Sequence, residues 1–433
     1  MGVTSTTRVD TGIAWQRSVP AQWKPMRLKD AVEGCSNGIW GDEPNGDESD
    51  TPIIRVADFD RLARKTFPHQ TVRSVPFDQR ASRELLPGDL LIEKSGGGEL
   101  QPVGMVVEYQ GAAGAVCSNF VARMRPRDFV DGRFLTYLHA YLYERSITKL
   151  SIKQSTGIQN LDSGAYLAER CFLPPLDEQF AIASYLDAET GRIDGLIEEK
   201  RRLLDLLGEQ KRMVAESVIA PVPAGREAKL GYFVDLLPGF AFPSEGFSQN
   251  KADVPLLRGV NLAPGAVRWG DSVFWPNDQA IGLDRFRLEP GDVVFGMDRP
   301  WISSGTRVAI INEESAGALL LQRVCRIRGG DEISNRFIYY VLASDKFRQS
   351  IEFELSGISV PHISPEQITR FRIPMVSLDE QRLRCDAADN EIQDVDRLIN
   401  LTGDMIEVLQ ELRSSTITDA VLGRIDVRHH MKN

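Results

Sequence analysis

The chain has 433 residues, 42% of them hydrophobic and 26% charged, with a formal net charge of −10. That length holds two or three domains with cores of their own, and the composition is that of an ordinary globular protein. No apolar run approaches the ~20 residues of a membrane span, the start MGVTSTTRVDTG lacks the apolar stretch of a signal peptide, and the acidic balance counts against non-specific nucleic-acid binding, although one cleft can still be lined with Arg and Lys.

Residues 1–176 mix short β-branched runs with Gly/Pro turns and a few short helices. The loop holding Asp42, Glu43, Asp47, Glu48 and Asp50 reads as a solvated acidic segment. Pro87-Gly88-Asp89 is a turn whose Asp can bond its own backbone, and Leu90-Leu91-Ile92 follows it as a strand. Val103 to Glu108 and Asn119 to Arg125 have strand patterning, and Arg133 to Glu144 has helical spacing. Residues 177–220 form a long helix, with Leu186, Ile193, Leu196, Leu203, Leu207 and Val214 on one heptad stripe that also carries Lys200 and Gln210. Pro221-Val222-Pro223 ends it.

Residues 221–377 repeat the mixed pattern, with strands expected at Val293 to Phe295, Arg307 to Ile311 and Leu321 to Arg328, and helical spacing from Asn335 to Arg348. Residues 378–433 hold a second long helix and a tail. Its stripe carries Val395, Leu398, Met405, Leu409 and Leu412, with Thr402 and Thr416, and Gly423 suits its stop.

The two halves match. Pro52-Ile53-Ile54-Arg55 returns as Pro255-Leu256-Leu257-Arg258, Pro87-Gly88-Asp89 as Pro290-Gly291-Asp292, and Leu176-Asp177-Glu178-Gln179 as Leu378-Asp379-Glu380-Gln381, at an offset of 200 to 203 residues. A repeat this long is a duplicated domain plus helix, with pseudo-two-fold symmetry. The expected fold class is α/β (α+β): two tandem mixed domains, each followed by a helix of roughly 40 residues and ~60 Å. Each helix can pack on its own domain, but two matched stripes behind the same LDEQ start favour an antiparallel coiled coil holding the domains apart.

A mixed domain ending in a Pro-rich strand, then a Leu-Asp-Glu-Gln helix start, all repeated once, resembles the specificity (S) subunit, HsdS, of type I restriction–modification systems. The matching pieces include Leu173-Pro174-Pro175 and Ile373-Pro374, the polar Thr156-Gly157-Ile158-Gln159-Asn160 segment, and Ser356 to Ser364. The resemblance implies two target recognition domains, each reading half of a split site in double-stranded DNA, with the coiled coil as a ruler for the spacer. It also implies two methyltransferase (M) subunits that use S-adenosylmethionine, two restriction (R) subunits that use ATP and Mg²⁺, and no cofactor on this chain.

Within that frame the DNA-binding candidates lie in matched loops. The first domain offers Lys94, Ser95 and Gly96 after a strand, and Lys153, Gln154, Ser155, Thr156, Gln159 and Asn160. The second offers Arg299, Trp301, Ser303, Ser304, Ser359 and His362. Arg or Lys suits guanine, Asn or Gln suits adenine, and hydroxyls and backbone N–H groups suit phosphates. Arg55 and Arg258 suit a phosphate or a carboxylate of the fold equally. The Gly96-Gly97-Gly98 run is a flexible turn or a phosphate cradle, Trp301 a core or a contact residue, and His362 a reader or a surface histidine.

No catalytic set is found. A methyltransferase motif, a Walker A loop and a nuclease ExK spacing are all missing. The five cysteines are scattered and never at metal-ligand spacing, so a metal site is not expected and a reducing cytoplasm is. The competing function is a two-module protein-interaction scaffold spaced by a coiled coil, which the acidic balance supports.

Overall fold

The computed structural model describes residues 7–68, 71–155, 157–221, 225–302, 305–355 and 362–427. It forms two compact units, one of Met1–Glu199 with Met405–Asn433 and the other of Lys200–Asp404. The long central helix Leu176–Val218 and the C-terminal helix Leu378–Val421 each contribute one half to each unit.

In the first unit a six-stranded sheet runs in the order Val32–Asn37, Val121–Pro126, Leu90–Glu93, Val106–Glu108, Lys65–Thr66, Phe59–Asp60. Its middle strand Leu90–Glu93 is buried on both faces. One face packs on the helix Gly132–Glu144 through Phe134, Leu135 and Leu138, and that core extends to Ile182 and Leu186 of the central helix and Ile417, Ala420 and Val421 of the C-terminal helix. The second unit has a four-stranded sheet, Val234–Pro238, Val324–Gly329, Val293–Gly296, Val308–Ile310, packed on Asn335–Ala343.

The recurring motifs are recurring hydrogen-bond devices. Asp89 accepts from the Leu86 amide at 2.8 Å and takes both Nε and Nη2 of Arg125 at 2.7 Å. Asp292 does the same with the Glu289 amide and Arg328. A bidentate pair with one partner buried ties the turn to the neighbouring strand. The glutamine of each Leu-Asp-Glu-Gln is buried. Gln179 accepts from the Asp131 amide at 2.9 Å and donates to the carbonyls of Pro174 and Phe129. Gln381 accepts from the Ser334 amide and donates to Glu332 and Val376. The motif therefore locks the first turn of each long helix to the start of its unit's core helix.

Within each unit the long helices meet antiparallel. In the second unit Lys211 bonds Asp396, while Arg384 donates to the carbonyls of Val218 and Ala220. In the first, Arg413 makes a bidentate pair with Asp194. The buried stripe runs one position away from part of the sequence reading. Ile193, Ile197, Leu207, Val214 and Val218 are buried on the central helix with Leu186, and Leu196 is half-buried. On the C-terminal helix Cys385, Ala388, Val395, Thr402, Arg413 and Ile417 are buried, with Ile399, Ile406 and Leu409 half-buried. Leu203, Leu398, Met405 and Leu412, expected on the seam, are instead 38%, 50%, 47% and 45% exposed. Adjacent apolar pairs such as Leu203-Leu204 and Leu398-Ile399 satisfy the heptad template in either phase, and packing selects the second member.

Among the described residues no helix is long and apolar enough to cross a membrane, and no His/Cys/Asp/Glu group is arranged to hold a metal. The cysteines are unpaired. Burial pushes the thiols of Cys117, Cys171 and Cys325 up to about 12, away from reactive thiolate character.

Candidate nucleic-acid interface

In the first unit the candidate loops fold into one small sheet. Ser95–Gly96 pairs with Ile158–Leu161, which pairs in turn with Ile152–Ser155. Gly96 and Gly97 have φ of +114° and +57°, and a Cβ on Gly97 would stand 2.9 Å from the Gln101 carbonyl oxygen, so the run is a turn that only glycine makes without strain. The sheet brings together Lys94, Ser95, Lys153 and Asn160. Ser95 Oγ bonds Asn160 Oδ1 at 2.6 Å, Lys94 reaches Asn37, and Lys153 pairs with Asp162. Gln159 differs from the expectation for a reader: it is 8% exposed, and its side-chain oxygen accepts from the Val103 amide, so it belongs to the fold. Thr156 and the side chains of Gln154 and Ser155 lie outside the described residues.

Beside this sheet is a cavity of about 450 Å³ lined by Trp40, Arg55, Arg61, Glu93, Ser95 and Phe120, among others. Glu93 is 2% exposed and pairs with Arg61 at 2.9 Å. Burial pushes its carboxyl up, against the opposing pull of Arg61. Trp40 and Phe120 present exposed rings, and Arg73 stacks 4.6 Å from the Trp40 ring centre. Sequence reasoning missed Trp40 and Phe120, because nothing local distinguishes an exposed aromatic from a core one, and Arg61, because its partner Glu93 lies 32 residues away.

In the second unit the equivalent loop carries different chemistry. Asp298 bridges to His362, whose Nδ1 is 2.5 Å from its carboxylate, and Arg323 donates to both Asp298 oxygens at 3.1 and 2.9 Å. Arg299 is exposed at φ +44°, a left-handed conformation uncommon for a residue with a side chain. It has no hydrogen-bond or ion-pair partner among the described residues. Trp301 is half-buried against the unit's core, with the Arg348 guanidinium 5.9 Å from its ring centre. Arg323, at φ +73°, was also missed, because it enters the loop from the next strand. Ser303, Ser304 and Ser359 lie outside the described residues.

Arg55 and Arg258 both have carboxylate partners. Arg55 pairs with Asp58 at 3.2 Å and keeps 41% of its side chain exposed, while Arg258 pairs with Asp271 at 3.1 Å and donates to its carbonyl.

No family model matches the sequence. The MjaVIII specificity subunit of Methanocaldococcus jannaschii is 26% identical over 335 residues, covering 74% of this chain and 76% of that protein. The putative MjaX specificity subunit of the same organism is 22% identical over 432 residues, covering 95% of each. The EcoAI specificity subunit of Escherichia coli is 33% identical over 207 residues, which is 47% of this chain and 33% of that one. All three are type I restriction enzyme specificity subunits by description, and the two from Methanocaldococcus jannaschii align over most of both chains. In fold, a chain from a type I R-M system matches over 94% of this chain and 99% of its own, with a TM-score of 0.74 at 18% identity. The HsdS subunit of Thermoanaerobacter tengcongensis matches over 94% and 98%, with a TM-score of 0.56. In sequence the chain is thus similar to specificity subunits of type I restriction enzymes along most of its length, and it shares the fold of type I R-M chains over 94% of its length.

Proposed function

We propose that the chain is the non-catalytic subunit that reads a bipartite, asymmetric site in double-stranded DNA and directs adenine methylation and restriction by partner subunits. One observation carries this reading beyond the similarity to known specificity subunits. The two units share a plan down to their Asp–Arg turns and glutamine locks, yet differ where each loop faces outward. Ser95 and Gly96 stand where the second unit has Asp298 and Arg299. A hydroxyl and an amide (Ser95, Asn160) on one side, and an exposed arginine with a histidine (Arg299, His362) on the other, suit different bases. Two unlike readers on one chain imply two unlike half-sites.

The antiparallel helices act as the ruler that sets the spacer. Partner docking uses the apolar side chains they leave outside. Met405, Val408 and Leu412 form a 3–4-spaced exposed stripe in the first unit, and Leu203, Leu206 and Met213 are exposed in the second. Such stripes suit helices of M subunits. In this account two M subunits supply S-adenosylmethionine and the chemistry on the adenine, and two R subunits supply ATP, Mg²⁺ and cleavage.

The test is selection from random duplexes by the chain purified with its M subunit, repeated over a range of salt. Two short sequence blocks at a fixed separation, with affinity falling steeply as salt rises, support the reading. Binding without base preference refutes it and leaves the protein-interaction scaffold.

A further inference from the structure

The duplication allows one place in the fold to be compared with itself. In the first unit the hairpin between Phe59–Asp60 and Lys65–Thr66 has a tip of four residues, Arg61 to Arg64. That tip reaches the long helices and fills the space there. Arg413 donates to the Leu62 carbonyl at 2.8 Å, Arg64 pairs with Glu144, and Ser414 bonds the same carboxylate. Arg64 is 6% exposed, so the space is closed by a buried guanidinium set among Glu144, Asp194 and Arg413.

In the second unit the matching hairpin, Leu262–Ala263 with Ala266–Val267, has a tip of only Pro264 and Gly265. This short tip only lines the space, through Pro264 and Gly265, and a cleft of about 500 Å³ remains. The helix positions that carry Arg413 and Ser414 in one repeat carry Lys211 and Arg212 in the other. The lining cations are Lys211, Arg212, Arg268 and Arg348.

Lys211 is held by Asp396, and Arg348 by Glu352 at 3.1 Å, yet Arg348 Nε is buried without a partner. Arg212 and Arg268 are exposed and have no partner among the described residues. The lining acids are Glu216 and Asp345. Glu216 is occupied, since its Oε1 accepts from the amides of Asp345 and Lys346 at the start of the helix Asp345–Leu355. Tyr339 and Ile302 add a flat, apolar wall. Where one repeat is filled by its own arginine, the other is open and faced with Arg212 and Arg268, which have no partner among the described residues.

We propose that this cleft binds a phosphate-bearing ligand of nucleotide size, its phosphate held by Arg212 and Arg268. Guanidinium groups match phosphate geometry in pairs, and the volume falls in the range of ordinary ligand sites. The phosphate belongs either to a free nucleotide or to a DNA backbone.

The test uses the full chain with Arg212→Ala/Arg268→Ala, and separately Gly208→Leu. Gly208 lines the cleft, and a Cβ there meets nothing within 4 Å, so a leucine plugs the space in a helix it favours over glycine. Melting curves establish that both variants fold. Saturable binding of ADP or inorganic phosphate, weakened about tenfold or more in the double variant and abolished by the plug, supports the proposal with a free nucleotide as source. No such binding, but a salt slope for duplex DNA reduced by about two in the double variant, supports it with the backbone as source. If neither changes in folded variants, or only association with the M subunit is lost, the phosphate site is refuted, in the latter case in favour of a carboxylate-bearing segment of that partner.

Discussion

Replacing Gln179 with leucine isolates the device that the repeated Leu-Asp-Glu-Gln encodes. The side chain is 2% exposed and serves three backbone groups: the Asp131 amide at 2.9 Å, the Pro174 carbonyl at 2.9 Å and the Phe129 carbonyl at 3.3 Å. Leucine fills similar space but strands a buried amide and a buried carbonyl. Each stranded group costs about 1–3 kcal/mol, and the weak third bond adds little, so the expected loss is about 3 kcal/mol. For a unit of this size that lowers the melting point by roughly 6–12 °C. Gln381→Leu makes the same lesion in the second unit, at the Ser334 amide and the Glu332 and Val376 carbonyls. Urea unfolding measures the loss and hydrogen exchange localises it. Gln179→Leu should raise exchange in the helix Gly132–Glu144 and leave Asn335–Ala343 protected, with the converse for Gln381→Leu. A loss under about 0.5 kcal/mol, or equal deprotection of both helices by either variant, refutes the reasoning.

Acid should weaken the first unit through His139, which is 1% exposed, bonds Tyr166 and is pushed down to about 3 by burial. The folded state holds it neutral while the unfolded chain protonates it below its ordinary value of about 6.5, so its contribution is present above that pH and falls by about 2 kcal/mol on going to about pH 5; His139→Gln should remove that part of the acid sensitivity in unfolding titrations. Ile193→Ala on the buried seam should cost about 2–4 kcal/mol in unfolding experiments. Met405→Ala with Leu412→Ala should cost less than about 1 kcal/mol each in folding, yet weaken M-subunit association on a sizing column. Arg299→Ala should relax one base position in one half-site, with a loss of about 1–3 kcal/mol of discrimination there and none in the other half-site, read by binding selection.

What the sequence made legible was whatever the duplication wrote twice. The Pro-Gly-Asp turns, the Leu-Asp-Glu-Gln helix starts and the two long helices could be placed because local chemistry specifies them. The seam's phase was not legible, since Leu203-Leu204 and Leu398-Ile399 offer two apolar neighbours and only tertiary packing chooses. Gln159 looked like a reader because it sits in a polar loop, yet strand alternation turns it inward to the Val103 amide. Arg64, Glu144, Asp194 and Arg413 are scattered along the chain, and their ion pairs, with both arginines buried, exist only once the fold assembles them. The same holds for Arg323 and His362, which meet at Asp298 from separate segments.

The most direct measurement of the central claim is a genome-wide map of modified adenines after expressing the chain with its M subunit in a host without DNA methylation. The account predicts one asymmetric, two-part motif with a fixed spacer, and an Arg299→Ala map altered in one part only. Methylation without a split motif, or none from a complex shown to assemble and bind S-adenosylmethionine, would contradict it.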